Sequence, residues 1–143
     1  MIAAVHMCRG NMNAFWGGDG GYDLMAETAF NMPNIDVFLL EYDTPRAGDF
    51  KPLRHVPKGK QILLGIVSTK DPKLESRDEL KRRVDDAAKH IAVEQLGICP
   101  QCGFSTNVFG TEFTVDDEKR KIEMMVGVRS EEHTSELQSH HDL

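Results

Sequence analysis

An α/β fold around a parallel sheet is predicted by three features of this 143-residue sequence. Apolar strand-like runs alternate with helix-like stretches, the pattern of βαβ units whose helices cover the sheet. Two of the runs, Val37 to Leu40 and Ile62 to Val67, are almost wholly apolar, as strands buried on both faces are. After the second run, Leu80, Val84, Ala87, Ala88 and Ile91 recur at helical spacing and mark one apolar stripe.

The first strand is expected at Ile2 to Val5, followed by a loop holding Gly17, Gly18, Gly20 and Gly21 and a helix from Tyr22 to about Phe30. The second strand, Val37 to Leu40, leads into a polar connection with Pro45, Gly48, Pro52, Pro57 and Gly59, residues that interrupt regular structure. The third strand is the run Ile62 to Val67, and Ser76 with Glu79 spells a capping box at the start of the amphipathic helix. Leu96-Gly97-Ile98 gives a fourth strand, and Thr114 with Asp117 can cap a last helix through Ile122, Met125 and Val128. Four strands suit a small open sheet or half of an eight-stranded barrel. Length favours the open sheet, because a closed barrel needs roughly 250 residues. The glycine cluster lacks the G-x-G-x-x-G spacing, so a dinucleotide fingerprint is not supported.

Composition narrows the function classes. With 40% apolar and 28% charged residues and a net charge of −6, the chain reads as one soluble globular domain. No run approaches the roughly 18 apolar residues of a bilayer span, and the start has no secretory pattern, so a cytoplasmic protein without a membrane partner is expected. Seventeen Lys and Arg are dispersed among 23 acidic residues without a basic stripe, which argues against nucleic acid as a partner. Three cysteines in such a chain point to metal binding, catalysis or simple burial in place of disulfides.

The character of the chain changes after Val128. Arg129 to Leu143 holds no Val, Ile, Phe or Met, but includes His133, His140 and His141. Its string RSEEHTSELQS, Arg129 to Ser139, resembles the in-frame translation of a sequencing adapter. Residues 1–128 are therefore expected to carry the domain. Residues 129–143 are expected to form a non-native, disordered tail whose histidines are not ligands.

Four side chains could make one metal site. His6 and Cys8 stand at i and i+2, which on a strand puts both on one face. Glu41 closes the second strand and Cys102 follows the fourth, so all four fall at the carboxyl ends of parallel strands, where α/β folds build their sites. One imidazole, one carboxylate and two thiolates form a borderline-soft set that suits Zn²⁺ better than Mg²⁺ or Ca²⁺. Each also has a plainer role, as a buried thiol, a core histidine or an ion-pair partner. Cys99 and Cys102 further spell C-x-x-C, the mark of a redox pair or half a zinc knuckle, but a knuckle wants a second close pair, which is missing, and a redox pair should open a helix where Gly103 to Thr106 reads as loop.

HMCRGN (His6 to Asn11), GGYD (Gly20 to Asp23), DVFLLEYDTPRAGDF (Asp36 to Phe50), LGIVSTK (Leu64 to Lys70) and PQCGF (Pro100 to Phe104) carry a family resemblance. In order and spacing they resemble the carboxy-terminal catalytic domain of cobalamin-independent methionine synthase, and more closely its shorter single-domain bacterial relatives. The resemblance implies a (β/α)₈ TIM barrel, of which residues 1–128 would hold about four βα units, the C-terminal half. It also implies a catalytic zinc held by His6, Cys8, Glu41 and Cys102.

By the same resemblance, the expected function is methyl transfer from a 5-methyltetrahydrofolate polyglutamate to the thiolate of homocysteine, giving methionine. The family's large synthases carry a His near the third strand of this segment to protonate the leaving amine. Here that region reads Val67-Ser68-Thr69-Lys70-Asp71-Pro72, without His. Asp43, Asp49 and Lys70 are the alternative proton donors, and Arg9, Asn11 and Trp16 beside the first loop are candidate substrate contacts. Other readings are alkyl transfer to a different thiol, as in coenzyme M transferases, or a small C-x-x-C redox or metal-binding module. The partial barrel by itself is expected to be poorly soluble or inactive, since it exposes two strand edges that native proteins normally cover.

Overall fold

The computed structural model describes residues 1–12, 14–15, 17–105 and 112–139, with residues 129–139 described by their backbone. Its strands are β1 (Ala4–Met7), β2 (Val37–Glu41), β3 (Gln61–Val67) and β4 (Leu96–Pro100). Its helices are α1 (Ala26–Phe30), α2 (Arg77–Ala88) and α3 (Val115–Ser139). The connection between β2 and β3 contains two 3₁₀ turns, Pro45–Ala47 and Lys51–His55, each with Pro in its first turn, where the missing N–H costs nothing. No helix is long and apolar enough to cross a membrane among the described residues.

The four strands pair in parallel in the order β1-β2-β3-β4. Side chains alternate across a strand, so the register sorts them into two faces. One face presents Phe38, Leu40, Ile62, Leu64 and Ile66, all buried, against Phe30, Leu80, Val84, Ala87 and Val128 from the helices. Burying each large apolar side chain there contributes about 1.5–3 kcal/mol. The other face carries the aligned row His6, Leu39, Leu63 and Gly97, none of them fully buried. The α/β order predicted from the sequence is the one observed.

Several boundaries move for identifiable reasons. β1 begins at Ala4 because Ala3 O accepts from the N–H groups of Asp36 and Val37, which sets its pairing with β2, and Ile2 is left exposed. This shift puts His6 inside the strand. Ser76 is the N-cap of α2 in extended conformation, yet its hydroxyl makes no capping hydrogen bond, and Glu79 pairs with Arg82 instead. At α3 the expected box forms: Asp117 N donates to Thr114 Oγ1 at 3.1 Å and Thr114 N donates to Asp117 Oδ2 at 2.9 Å.

The buried stripe of α3 is Lys121, Met124 and Val128, whereas Ile122 is exposed. The helix is turned by Lys121, whose ammonium donates to Lys73 O at 2.7 Å and to Glu75 Oε2 at 3.0 Å. Helical backbone continues through Ser139, where an irregular tail was expected from composition. The loop expected beyond Ser105 falls at residues 106–111, outside the described residues.

Candidate metal centre

In a parallel sheet every carboxyl end lies along one edge. His6 stands on β1 and Cys8 one residue beyond it, Glu41 ends β2, Thr69 and Lys70 follow β3, and Gln101 and Cys102 follow β4. β1 and β4 are the two borders of the sheet. At the usual strand spacing, borders separated by three steps would lie roughly 14 Å apart in a flat sheet. His6 Nε2 is nevertheless 3.3 Å from Cys102 Sγ. The sheet curls as barrel strands do, and with the turn after Pro100 it brings side chains from its two borders together at this end.

The ligand atoms of His6, Cys8 and Cys102 all lie within 4.8 Å of one another. Cys8 is exposed and Cys102 half-buried, so the cluster opens to solvent on one side. Gly10 N approaches Cys8 Sγ at 3.4 Å, a backbone donor for the sulfur. The loop can make this turn because Gly10 has φ +87°, and a Cβ there would sit 2.9 Å from Gly17 N.

Glu41 is fully buried and does not join this trio, to which Gln101 links it. Its Oε2 accepts from Arg9 N at 2.7 Å and from Gln101 Nε2 at 3.0 Å. Gln101 Nε2 also lies 2.9 Å from Cys102 Sγ, so one carboxamide joins the carboxylate to the thiol. Among the described residues Glu41 Oε1 accepts no hydrogen bond, and Lys70 Nζ lies 4.0 Å from it. An imidazole, two thiols and a buried carboxylate oxygen left without a donor fit one borderline-soft divalent ion.

Position, and not acidity, separates Cys99 from Cys102. Burial, then the neighbouring Cys8 thiol, push the Cys102 thiol up to about 12. Burial alone pushes Cys99 up to about 12. Cys99 Sγ donates to Leu63 O at 3.6 Å from within β4, and it does not join the His6, Cys8 and Cys102 cluster. The two halves of the C-x-x-C thus face different surroundings.

The remaining candidates divide. Arg9 is occupied structurally: Nη2 and Nε donate to Gly20 O at 2.6 and 2.8 Å, and the guanidinium lies 4.0 Å from the Tyr22 ring centre. Asn11 Nδ2 donates to Thr69 Oγ1 at 3.1 Å. Asp43 is raised above the usual carboxylate range by burial, with the Lys70 cation opposing and the Glu41 carboxylate adding to it. Lys70 keeps only 3% of its side chain exposed beside Glu41. Asp49 is exposed and bound locally, its Oδ1 accepting from Lys51 N at 2.9 Å and its Oδ2 lying 3.1 Å from Lys51 Nζ, as a turn residue would be. Trp16 lies outside the described residues.

Three residues of the site were not singled out for it by the sequence. Gln101 is fully buried, Thr69 is nearly so, and the hydroxyl of Tyr22 is shared between Met7 O at 3.0 Å and Glu41 O at 3.2 Å, tying the ends of β1 and β2 together. Burial pushes Tyr22 up to about 12, against the pull of Arg9. The one available signal was a polar residue between Pro100 and Cys102 at a strand end, which does not by itself distinguish an inward from an outward side chain.

Comparison with known proteins agrees with this geometry. The chain is 38% identical over 132 residues to YxjG and to YxjH of Bacillus subtilis (strain 168), and 28% identical over 99 residues to the methionine synthase of Pyrococcus abyssi (strain GE5 / Orsay). These alignments cover 92% of the chain in the first two cases and 69% in the third, but only 35% and 26% of the relatives, so the chain spans about a third of the length of the Bacillus proteins. Among solved structures, 96% of the chain superposes on 40% of a B12-independent methionine synthase from Shewanella sp. W3-18-1, in complex with selenomethionine, with TM-score 0.73 and 20% identity. A vitamin-B12-independent methionine synthase structure from Listeria monocytogenes matches 90% of the chain and 33% of its own with TM-score 0.56 and 27% identity. The curled parallel sheet is therefore half of a (β/α)₈ barrel. The model of the family described as "Cobalamin-independent synthase, Catalytic domain" matches residues 3–128, and the chain belongs to that family.

Proposed function

We propose that this chain carries the zinc-binding half-barrel of a methyltransferase that moves a methyl group from 5-methyltetrahydrofolate, as its polyglutamate, to homocysteine. The observation that carries the reading is the convergence of His6, Cys8 and Cys102 within 4.8 Å, from opposite borders of the sheet, in front of the buried Glu41. Bound zinc supplies the charge that removes a proton from an incoming thiol near neutral pH. His6, Cys8 and Cys102 would hold the ion, and Glu41 Oε1, which accepts no hydrogen bond among the described residues, would be the fourth donor. Asp43, whose burial favours the protonated carboxyl, and Lys70 beside Glu41 are the groups able to hold a proton for the leaving amine. Asp49, bound to Lys51, is the weakest of the three candidates. Asn11 borders the site and remains a candidate substrate contact, while Arg9 shapes the loop.

The Shewanella synthase holds selenomethionine, the selenium analogue of the product, which supports a small amino-acid-like thiol as acceptor. Absence of His from Val67 to Pro72 favours keeping a second acceptor, coenzyme M, under test. Supplying each thiol separately to a full-length relative and following its alkylation discriminates the two. The family match ends at residue 128, next to the adapter-like string at Arg129, which supports reading residues 129–143 as foreign to the domain and the ring nitrogens of its histidines as irrelevant to the site.

The test of the metal is a zinc titration of the full chain against a chromophoric chelator. One ion per chain is expected, lost in C102S and C8S and retained in C99S, since Cys99 faces Leu63. Equal loss in C99S and C102S would favour the C-x-x-C module instead.

A further inference from the structure

We propose that Gln101 is the positioning residue of this metal centre, one carboxamide that fixes both the Cys102 sulfur and the Glu41 carboxylate; the inference rests on the zinc reading above. Every polar atom of the side chain is used. Oε1 accepts from the Thr69 hydroxyl at 2.9 Å, which dictates which way the amide faces. Nε2 then points its two hydrogens at Cys102 Sγ, 2.9 Å away, and Glu41 Oε2, 3.0 Å away. Thr69 is oriented in turn by Asn11 Nδ2 at 3.1 Å. The chain Asn11, Thr69, Gln101 therefore runs from the loop after β1 to two donors of the site.

The consequence for the ion is geometric. Glu41 Oε2 is held by Gln101 and by Arg9 N, which leaves Oε1 as the oxygen able to bind in a single-atom mode. The thiolate of Cys102 receives a hydrogen-bond donor that lowers its electron density and holds its direction. Close approach is built into the backbone as well: a Cβ on Gly65 would lie 3.1 Å from Gln101 Cα and 2.6 Å from Leu40 O. Outer groups that orient ligands in this way usually contribute about 10–100-fold to metal affinity.

The experiment uses the full chain loaded with Zn²⁺ or Co²⁺. Q101L should weaken zinc binding by about 10–100-fold and move the thiolate-to-cobalt charge-transfer band to lower energy, because the sulfur loses its donor. Q101E, which sets an acceptor against an acceptor, should bind more weakly still. T69V keeps every ligand and the shape of its own side chain while freeing the amide to turn, and should show part of both effects, with T69S restoring wild-type values. T69V also carries the test if Q101L fails to fold, which the thermal unfolding of the metal-free variants reveals. Unchanged affinity and an unchanged cobalt band in Q101L and T69V, with wild type binding one ion, would overturn the role of Gln101 alone. Wild type binding no ion would overturn it together with the proposed function.

Discussion

Cys99 and Cys102 show how three residues of separation decide chemistry. Cys99 lies within β4 and its thiol is buried, whereas Cys102 lies past the strand end beside His6 and Cys8. In the metal-free protein the Cys99 thiol, pushed up from 9.0 to about 12, stays protonated where the unfolded chain ionises. Its contribution to stability is complete below about pH 9 and is lost as pH rises toward 12. Denaturation midpoints measured below and within that window should fall with rising pH, and C99V should remove the Cys99 share of the slope. The proposed zinc binding predicts the opposite dependence: the thiols of Cys8 and Cys102 would have to shed protons, so affinity should rise with pH and calorimetry in buffers of different ionisation enthalpy should detect proton release. His6, Cys8 and Cys102, which the structure brings together, were legible because imidazole and thiols at strand ends form a recognisable set, and Glu41 enters as a fourth donor only by the proposal above. Gln101 and Thr69 were not, because an uncharged amide or hydroxyl has no spacing rule and acquires its role from what curls against it.

At the scale of elements, hydrophobic period and tertiary pairing each set different boundaries. The stripe Leu80, Val84, Ala87 and Ile91 is buried as its spacing requires. The face of α3 is set by one ion pair: Lys121 is fully buried, its ammonium satisfied by Lys73 O and Glu75, and Glu75 Oε1 accepts from Ser68 N at 2.7 Å at the end of β3. K121A should cost somewhat less than the about 3–5 kcal/mol of a broken buried pair, since Glu75 keeps a fifth of its side chain exposed. Urea denaturation measures it, and E75Q combined with K121M should recover part of the loss. Gly65→Ala should destabilise by about 1–3 kcal/mol through overpacking against Leu40 O, and should also weaken zinc binding by displacing Gln101. Sequence alone placed Val128 and Met125 toward the core but missed Lys121 and misplaced Ile122, because Lys is ordinarily a surface residue and only its partner across the fold explains an inward turn.

For the molecule as a whole, β1 and β4 are sheet borders without a further strand among the described residues, and the inner row of Leu39, Leu63 and His6 is incompletely covered. Open borders and a half-exposed apolar face favour association. The 143-residue chain should therefore show concentration-dependent assembly by sedimentation velocity, and co-expression with the first four βα units of a full-length relative should suppress it; a monodisperse monomer at every concentration would contradict this. The sequence by itself determined the alternation of strands and helices, the apolar stripes and the residue types of a soft metal site, since periodicity and donor chemistry are local properties. Tertiary structure alone decided that side chains from the two borders meet at the carboxyl end of the sheet, because curl is a property of four strands together and no spacing within one strand encodes it. That same curl set Cys102 against His6, as the strand-end pattern predicts, and put a buried glutamine between Cys102 and Glu41, which no pattern predicts.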